Sequence, residues 1–269
     1  MNTKTWNPYP DTVLYNGQIL TMDPTYTVRQ ALAVKRDRIV AMGANEAILA
    51  MAGGPTRRID LAGRTVTPGL IDTHAHMDRE GLRRAYPSLQ ECRCIADVKN
   101  VARRAAADRK PGEWVVLLPL GKPPFHYDQE QTLAERRYPN RHDLDEAAPD
   151  NPIWVRAIWG RWNGRPPYVH ILNSAGLKAC GITRDTPNPA STVTIERDPG
   201  TGELTGRILE YHPTTVAEYT ILKGAPRFSH DIRLKALKHA MQLSVEAGTT
   251  SVLEGHGVSP DLHAVGPTR

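Results

Sequence analysis

The stretch TVTPGLIDTHAHMD, residues 65–78, carries two imidazole side chains separated by a single alanine, directly after an apolar run. Alternate residues of a β-strand point to the same face, so His74 and His76 would lie on one face, roughly 7 Å apart at about 3.3 Å per residue. Two neutral imidazoles in this arrangement form part of a coordination shell for zinc or a similar divalent ion. Asp72 would share their face. Because a His-x-His pair also arises by chance, the surrounding elements decide its meaning.

The elements before the pair predict a small β-domain over residues 11–67. Short apolar runs alternate there with turn residues: Asn16-Gly17 predicts one hairpin, and a second hairpin turns near Arg36–Arg38. The compact apolar segment Leu70–Met77 then predicts a buried strand. The two histidines fall at the end of this strand, which is where functional groups collect in a parallel α/β barrel.

The rest of the chain alternates helical and extended patterns. Residues 93–110 predict a helix, and EWVVLLPL, residues 113–120, predicts a buried strand. Residues 121–230 are rich in Pro, Gly, Asn and Arg and predict a long, loop-rich insertion. A helix then begins after Ser229 as its N-cap and ends at Gly248, before the strand of TTSVLEGHG. Its predicted buried face consists of Leu234, Leu237, Met241 and Val245. Together these elements favour a parallel α/β layout.

Composition and charge exclude several classes of protein. The chain has 269 residues, three of them cysteines, and a formal net charge of +5. Its basic residues come as short pairs with acidic residues among them, which argues against a nucleic-acid-binding protein. No apolar run approaches the ~18 residues of a membrane span, and the N-terminus has no apolar signal-peptide core. Three cysteines do not predict a disulfide framework, so we expect ordinary thiols in a cytoplasmic protein.

Longer motifs place the histidine pair in a known family. TVTPGLIDTHAHMD resembles the metal-binding first strand of the amidohydrolase superfamily, and the preceding VLYNGQILTMD and ALAVKRDRIVAMG resemble its N-terminal β-sandwich segment. The segments HILNSAGLKACGITRDTPNP and DPGTGELTGRILE are similar to the long insertion of the amidohydrolase family 3 group, which includes N-substituted formamide deformylase-like enzymes. The resemblance covers nearly all of residues 11–257.

This resemblance implies a fold and a chemistry. The implied fold is α/β: an incomplete TIM barrel over residues 68–269, with an insertion at about 121–230, preceded by a β-sandwich segment over residues 1–67. The implied function is a metal-dependent hydrolase of non-peptide, amide-like carbon–nitrogen bonds in small molecules. One or two divalent ions, zinc above all, would be bound through His74 and His76, and a carboxylate would act as general base.

Five further residues are candidates for the same site. Asp72 would hydrogen-bond to a metal-bound histidine or play a structural part. Glu254 and His256 follow the last predicted strand and would contribute a ligand or a supporting hydrogen bond. His170, which opens HILNS, and Glu210, which ends TGRILE, would line the substrate pocket. Each of these positions also suits an ordinary loop or packing residue.

The length of the chain raises two alternatives to an active enzyme. A full barrel takes roughly 250 residues before insertions, and we can place only a few of its eight strands here. The family's remaining ligands and general base would come later than Gly257. We therefore expect half of a barrel, with exposed strand edges that favour aggregation or a homo-oligomer. The alternatives are a catalytically inactive fragment and a module that binds a ligand or a partner.

Overall fold

The computed structural model describes most of the chain, in four stretches: residues 7–121, 132–157, 166–212 and 216–254. The chain divides into two compact units. The first comprises Met1–Ala75 with Ser244–Leu253, and the second comprises His76–Leu243 with Glu254–Arg269. The domain boundary predicted between residues 67 and 68 stays a prediction.

The first unit begins with two small sheets and a short helix, α1, at Asn45–Leu49. The four-stranded sheet has the order β5-β4-β1-β6 and the three-stranded sheet the order β3-β2-β7. In chain order the strands are β1 (Thr12–Tyr15), β2 (Gln18–Leu20), β3 (Val28–Arg29), β4 (Ala31–Lys35), β5 (Arg38–Gly43), β6 (Arg57–Asp60) and β7 (Thr65–Val66).

The two small sheets share one apolar cluster, in which Ile19 of β2 packs with Leu32 of β4. The hairpin predicted near Arg36–Arg38 is confirmed, because β4 and β5 pair antiparallel and Arg36 adopts a φ of 55°. The hairpin predicted at Asn16-Gly17 is wrong. The chain does turn there, but β1 pairs with β4 and β6 while β2 pairs with β3 and β7, so the turn carries the chain from one sheet to the other.

Strand β8, Leu70–Ala75, carries the first histidine of the motif and pairs with β15, Thr249–Glu254. The Leu70 N–H donates to the Gly248 carbonyl, so both strands start side by side and run parallel. The prediction of a buried strand is wrong for the described residues, since all of β8 except Ala75 is exposed. Large apolar side chains remain in contact with solvent on both strands: Leu70, Ile71, Val252 and Leu253.

The second unit is built around a six-stranded mixed sheet of order β13-β14-β12-β11-β10-β9. Strands β9, β10 and β11 run parallel and the others antiparallel. The strands are β9 (Ser88–Leu89), β10 (Val115–Leu120), β11 (Ile153–Val155), β12 (Tyr168–Leu172), β13 (Val193–Arg197) and β14 (Leu204–Glu210). The helices are α2 (Met77–Leu82), α3 (Ile95–Ala106), α4 (Arg141–Asp145), α5 (Ser174–Ala179), α6 (Val216–Thr220) and α7 (His230–Glu246), whose last turn belongs to the first unit.

The insertion predicted at about residues 121–230 contains more regular secondary structure than its loop-rich composition indicated. Strands β11 to β14 all come from residues 121–230 and bury apolar side chains on both sheet faces. Leu117 and Ile153 contribute to one cluster, and Trp154 and Ile208 to the other. The predicted strand at residues 113–120 is confirmed as β10, which is buried along nearly its whole length.

Helix α7 has the predicted ends and a different buried face. Ser229 caps it, with the Ser229 Oγ accepting from the Ile232 N–H at 3.3 Å, and Gly248 follows it with a φ of 84°. The buried residues are Ala236, Leu237 and Ala240, whereas Met241 and Val245 are exposed, so the predicted face is only partly right. The small residues matter because α2 approaches closely: a Cβ on Gly81 would lie 1.9 Å from the Ala236 carbonyl oxygen.

The cysteines are free thiols, as predicted. Burial raises the pKa of Cys92 and of Cys180 to about 11, so both stay protonated and poorly nucleophilic at neutral pH. Within the four described stretches, the helices are too short or too polar to cross a bilayer.

Candidate functional site

His74 lies on β8 with an exposed side chain. Its N–H donates to the Asp72 Oδ1 atom at 3.0 Å. This bond links the carboxylate to the main chain of the motif and holds the residues before His74 in a fixed local conformation. Asp72 therefore has a structural contact, and its predicted hydrogen bond to a metal-bound imidazole stays a prediction.

His76 lies just beyond the end of β8, immediately before α2, and not within the strand as the sequence predicted. Its Nδ1 atom is 3.3 Å from the Glu254 Oε1 atom, and only 16% of the His76 side chain is exposed. The other Glu254 oxygen, Oε2, accepts from the Met77 N–H at 2.9 Å. Glu254 thus accepts from the first N–H of α2 and lies beside the His76 imidazole. Its predicted role as a metal ligand or as a support for one stays a prediction.

The atoms that meet here are an imidazole nitrogen and a carboxylate oxygen, and both kinds of atom bind divalent metal ions in proteins. His256, the other predicted contributor, lies outside the described residues. Across the described stretches, no group of three or more His, Cys, Asp or Glu side chains is arranged to hold a metal ion.

His170 is fully buried at the centre of β12, in the six-stranded sheet. Its Nδ1 atom lies 3.2 Å from the Trp154 Nε1 atom and 3.1 Å from the Ala157 nitrogen. Both of these groups are donors only, so Nδ1 must accept and carries no proton in the neutral ring. The proton is therefore on Nε2, which faces the Glu210 Oε2 atom at 3.4 Å.

Glu210 links this histidine to the start of helix α6. It is 1% exposed, and its Oε1 atom accepts from the Val216 and Ala217 N–H groups. These are the first two residues of α6, where unpaired N–H groups and the helix dipole favour a carboxylate. The contacts of His170 and Glu210 thus connect two neighbouring strands with a helix through buried hydrogen bonds. Their predicted role in lining a substrate pocket stays a prediction.

A second buried polar contact, which the sequence did not indicate, lies next to this network. Arg156 and Glu218 form a bidentate ion pair with N–O distances of 2.8 and 2.6 Å, and their side chains are 8% and 6% exposed. The guanidinium also lies over the rings of Trp154 and Phe228, at 5.3 and 4.3 Å from their centroids. The only signal in the sequence was an arginine that follows the apolar segment IWV.

The sequence profile of the amidohydrolase family matches residues 57–265, well over half of the chain. The chain belongs to the amidohydrolase family. This confirms the family 3 membership that the insertion motifs predicted.

Curated relatives agree with this assignment. The chain is 30% identical over 205 residues to the N-substituted formamide deformylase of Arthrobacter pascens, covering 74% of this chain and 34% of that protein. It is 26% identical to the putative amidohydrolase YtcJ of Bacillus subtilis, covering 94% of this chain and 43% of that protein. It is 27% identical to the protein LONG AFTER FAR-RED 3 of Arabidopsis thaliana, covering 91% of this chain and 38% of that protein. The chain thus spans less than half of the length of these relatives.

Two solved structures share the fold. An uncharacterized metal-dependent hydrolase from Pyrococcus furiosus superimposes with a TM-score of 0.62 at 18% identity, over 94% of this chain and 46% of that one. An uncharacterized metal-dependent hydrolase from Pyrococcus horikoshii gives a TM-score of 0.58 at 19% identity, over 94% of this chain and 44% of that one. At these identities the similarity is one of fold.

Proposed function

We propose that this chain contributes the histidine motif of a metal-dependent hydrolase that cleaves carbon–nitrogen bonds in small, non-peptide, amide-like molecules. The observation that carries the proposal is the pair His74 and His76 at the carboxyl end of strand β8, inside a chain that matches the amidohydrolase family over residues 57–265. The N-substituted formamide deformylase among its relatives supports the amide-like class of substrate.

The proposed ligands are His74 and His76, with the Glu254 carboxylate beside His76. The distance of 3.3 Å between the Glu254 Oε1 atom and the His76 Nδ1 atom supports this set, because a carboxylate that accepts from one ring nitrogen of a metal-bound histidine would fix its orientation and tautomer. A divalent ion bound there, zinc in our proposal, would supply a water of lowered pKa and would polarise the substrate carbonyl. Strands β8 and β15 would be neighbouring strands of the proposed TIM barrel, with these side chains at their carboxyl ends.

The test is hydrolysis of a panel of N-alkyl formamides and N-acyl amines by the protein supplied with zinc. We expect turnover by the parent protein and a loss of about a hundredfold or more in His76→Asn, because even residues that support metal ligands cost 10–100-fold. The matched control is His142→Asn, since His142 is an exposed histidine on α4. Equal turnover in both variants would contradict the proposed ligand role.

A second candidate function is a module that binds metal or substrate without turnover. It is favoured by the observation that the described residues gather no cluster of three metal-binding side chains, whereas a catalytic zinc normally has three protein ligands. Metal binding by the parent protein without hydrolysis of any amide in the panel would support this candidate over the enzyme.

A further inference from the structure

A pocket of about 290 Å³ lies in the second unit, beside helix α5 and the start of β14. Its wall combines buried apolar side chains with charged ones at the rim. The apolar residues are Leu177, Ile182 and Leu204, each less than a tenth exposed. The charged residues are Arg141, Lys178, Arg184 and Glu203, so three cations face a single carboxylate. An apolar floor with a few convergent polar groups is the usual anatomy of a small-molecule site.

The one carboxylate of the pocket is shared between the two arginines and satisfies neither of them fully. The Glu203 Oε2 atom lies 3.5 Å from the Arg141 Nη2 atom, and its Oε1 atom lies 3.6 Å from the Arg184 Nη1 atom. These distances exceed the 2.7–2.9 Å of a charge-assisted hydrogen bond. Half of the Glu203 side chain is exposed. It can therefore swing into solvent and leave both guanidinium groups to an anion from outside.

Glycines with positive φ in the β13–β14 hairpin make room for both arginines. Gly202, at φ 71°, lies so close to Arg184 that a Cβ would be 2.7 Å from the Arg184 Nη2 atom. Gly206, at φ 88°, makes room for Arg141 in the same way, since a Cβ would be 2.8 Å from the Arg141 Cβ. Positive φ favours glycine, so this backbone keeps the space beside both arginines open. The motif TGELTG thus leaves room for the Arg184 guanidinium and for the start of the Arg141 side chain.

The main chain and side chain of Arg184 are also anchored from the opposite side. Arg197 donates from Nε and Nη2 to the Arg184 carbonyl, at 3.1 and 2.8 Å, and the Arg184 Nη2 donates to the Thr201 carbonyl at 3.2 Å. Near the pocket wall, Asp145 accepts from the N–H and the hydroxyl of Ser174. This carboxylate is thereby occupied by its own hydrogen bonds. The hydrogen bond from Arg184 to the hairpin restrains this guanidinium before any ligand arrives, which lowers the cost of binding.

We propose that this pocket binds a small organic carboxylate with a short apolar chain. The ligand carboxylate would take the place of Glu203 between Arg141 and Arg184, because guanidinium groups bind carboxylates with paired N–H donors. Lys178 adds a third positive charge at the rim, and the hydrocarbon chain would lie on Leu177 and Leu204. The site is separate from the histidine motif and does not depend on the proposed hydrolase activity.

Calorimetric titration of the full chain with hexanoate tests this proposal. We expect saturable binding with a dissociation constant of about 1 mM, a range that suits a ligand of this size. Hexan-1-ol, which lacks the charge, and inorganic phosphate, which lacks the chain, are expected to bind at least about tenfold more weakly, a difference of 1.4 kcal/mol. Absence of saturation with hexanoate, or equal binding of phosphate, would overturn the proposal.

Variants distinguish this pocket from nonspecific binding. Arg184→Gln should weaken hexanoate binding about tenfold, since it removes one of the two guanidinium groups that would bind the carboxylate. Glu203→Gln should strengthen it several-fold, because it removes the carboxylate that competes for the two arginines, and it is not expected to disturb folding. Arg103→Gln, on helix α3 and outside the pocket, is the matched control. If Glu203→Gln leaves the affinity unchanged or weaker, Glu203 does not compete with the ligand and the proposal fails.

Discussion

Replacing Glu218 by glutamine is expected to lower the free energy of unfolding by about 3–5 kcal/mol, the usual cost of removing one partner of a buried ion pair. The substitution keeps the side-chain volume and removes the charge. It leaves the Arg156 guanidinium, which is held in an enclosed site between aromatic rings, without its bidentate carboxylate. Urea unfolding followed by circular dichroism measures the change.

Two controls separate this effect from a general loss of charge. Glu146→Gln removes the partner of Lys99 in an ion pair whose carboxylate is 64% exposed, and such pairs contribute about 0–1 kcal/mol. The double variant Arg156→Met with Glu218→Leu should recover most of the lost stability, because apolar replacement of both partners is often neutral or stabilising. A loss below about 1 kcal/mol in Glu218→Gln would show that the pair is not enclosed as described.

Replacing His170 by leucine is expected to destabilise the second unit by about 3 kcal/mol or more, at about 1–3 kcal/mol for each buried polar group left without a partner. The groups concerned are the Trp154 Nε1–H, the Ala157 N–H and the Glu210 carboxylate. Because Glu210 also accepts from the first N–H groups of α6, we expect this helix to loosen in the same variant. Hydrogen exchange at α6 measures that second effect.

The variant His170→Asn is the matched control, because an asparagine oxygen can take the place of Nδ1 as acceptor for Trp154 and Ala157. It should retain more stability than His170→Leu and lose mainly the contact with Glu210. Equal stability of the parent protein and His170→Leu would contradict the donor and acceptor assignment. If His170→Asn keeps full stability but raises KM in a working hydrolase, the predicted place of His170 in a substrate pocket would gain support.

The sequence predicts those parts of the fold that depend on short-range patterns. The hairpin at Arg36, the N-cap Ser229 and the stop at Gly248 follow from turn and capping chemistry, which acts over a few residues. Asn16-Gly17 shows the limit of such patterns. A turn signal specifies that the chain reverses, whereas the pairing partners are set by apolar contacts between sheets, such as Ile19 with Leu32.

Burial was harder to predict than secondary structure. The composition of β8 suggests a buried strand, yet Leu70 and Ile71 are exposed, because burial depends on which elements cover a strand and not on the strand itself. In helix α7, too, burial does not follow from side-chain type. The small residues Ala236 and Ala240 are buried, whereas Met241 is exposed. Close approach of α2 at Gly81 requires small side chains on the facing side of the helix.

The sequence indicates the candidate site only where its residues lie in one short motif. His74 and His76 stand out because the pair follows an apolar run and a predicted β-domain, and Glu254 was singled out by its place at a strand end. The contact between His76 and Glu254 joins residues 178 positions apart (254 minus 76) and follows only from the folded chain. The Arg156–Glu218 pair was missed for the same reason, as its partners are 62 residues apart.

Metal content tests the central claim most directly. The protein is purified without chelators and without a histidine tag, and its divalent metals are counted by mass spectrometry alongside the variants His74→Asn and His76→Asn. The proposed site predicts about one zinc per chain in the parent protein and less than about 0.1 in either variant, because each variant removes a protein ligand. A parent protein with less than about 0.1 metal per chain, or variants that keep the full amount, would contradict a metal site at this motif.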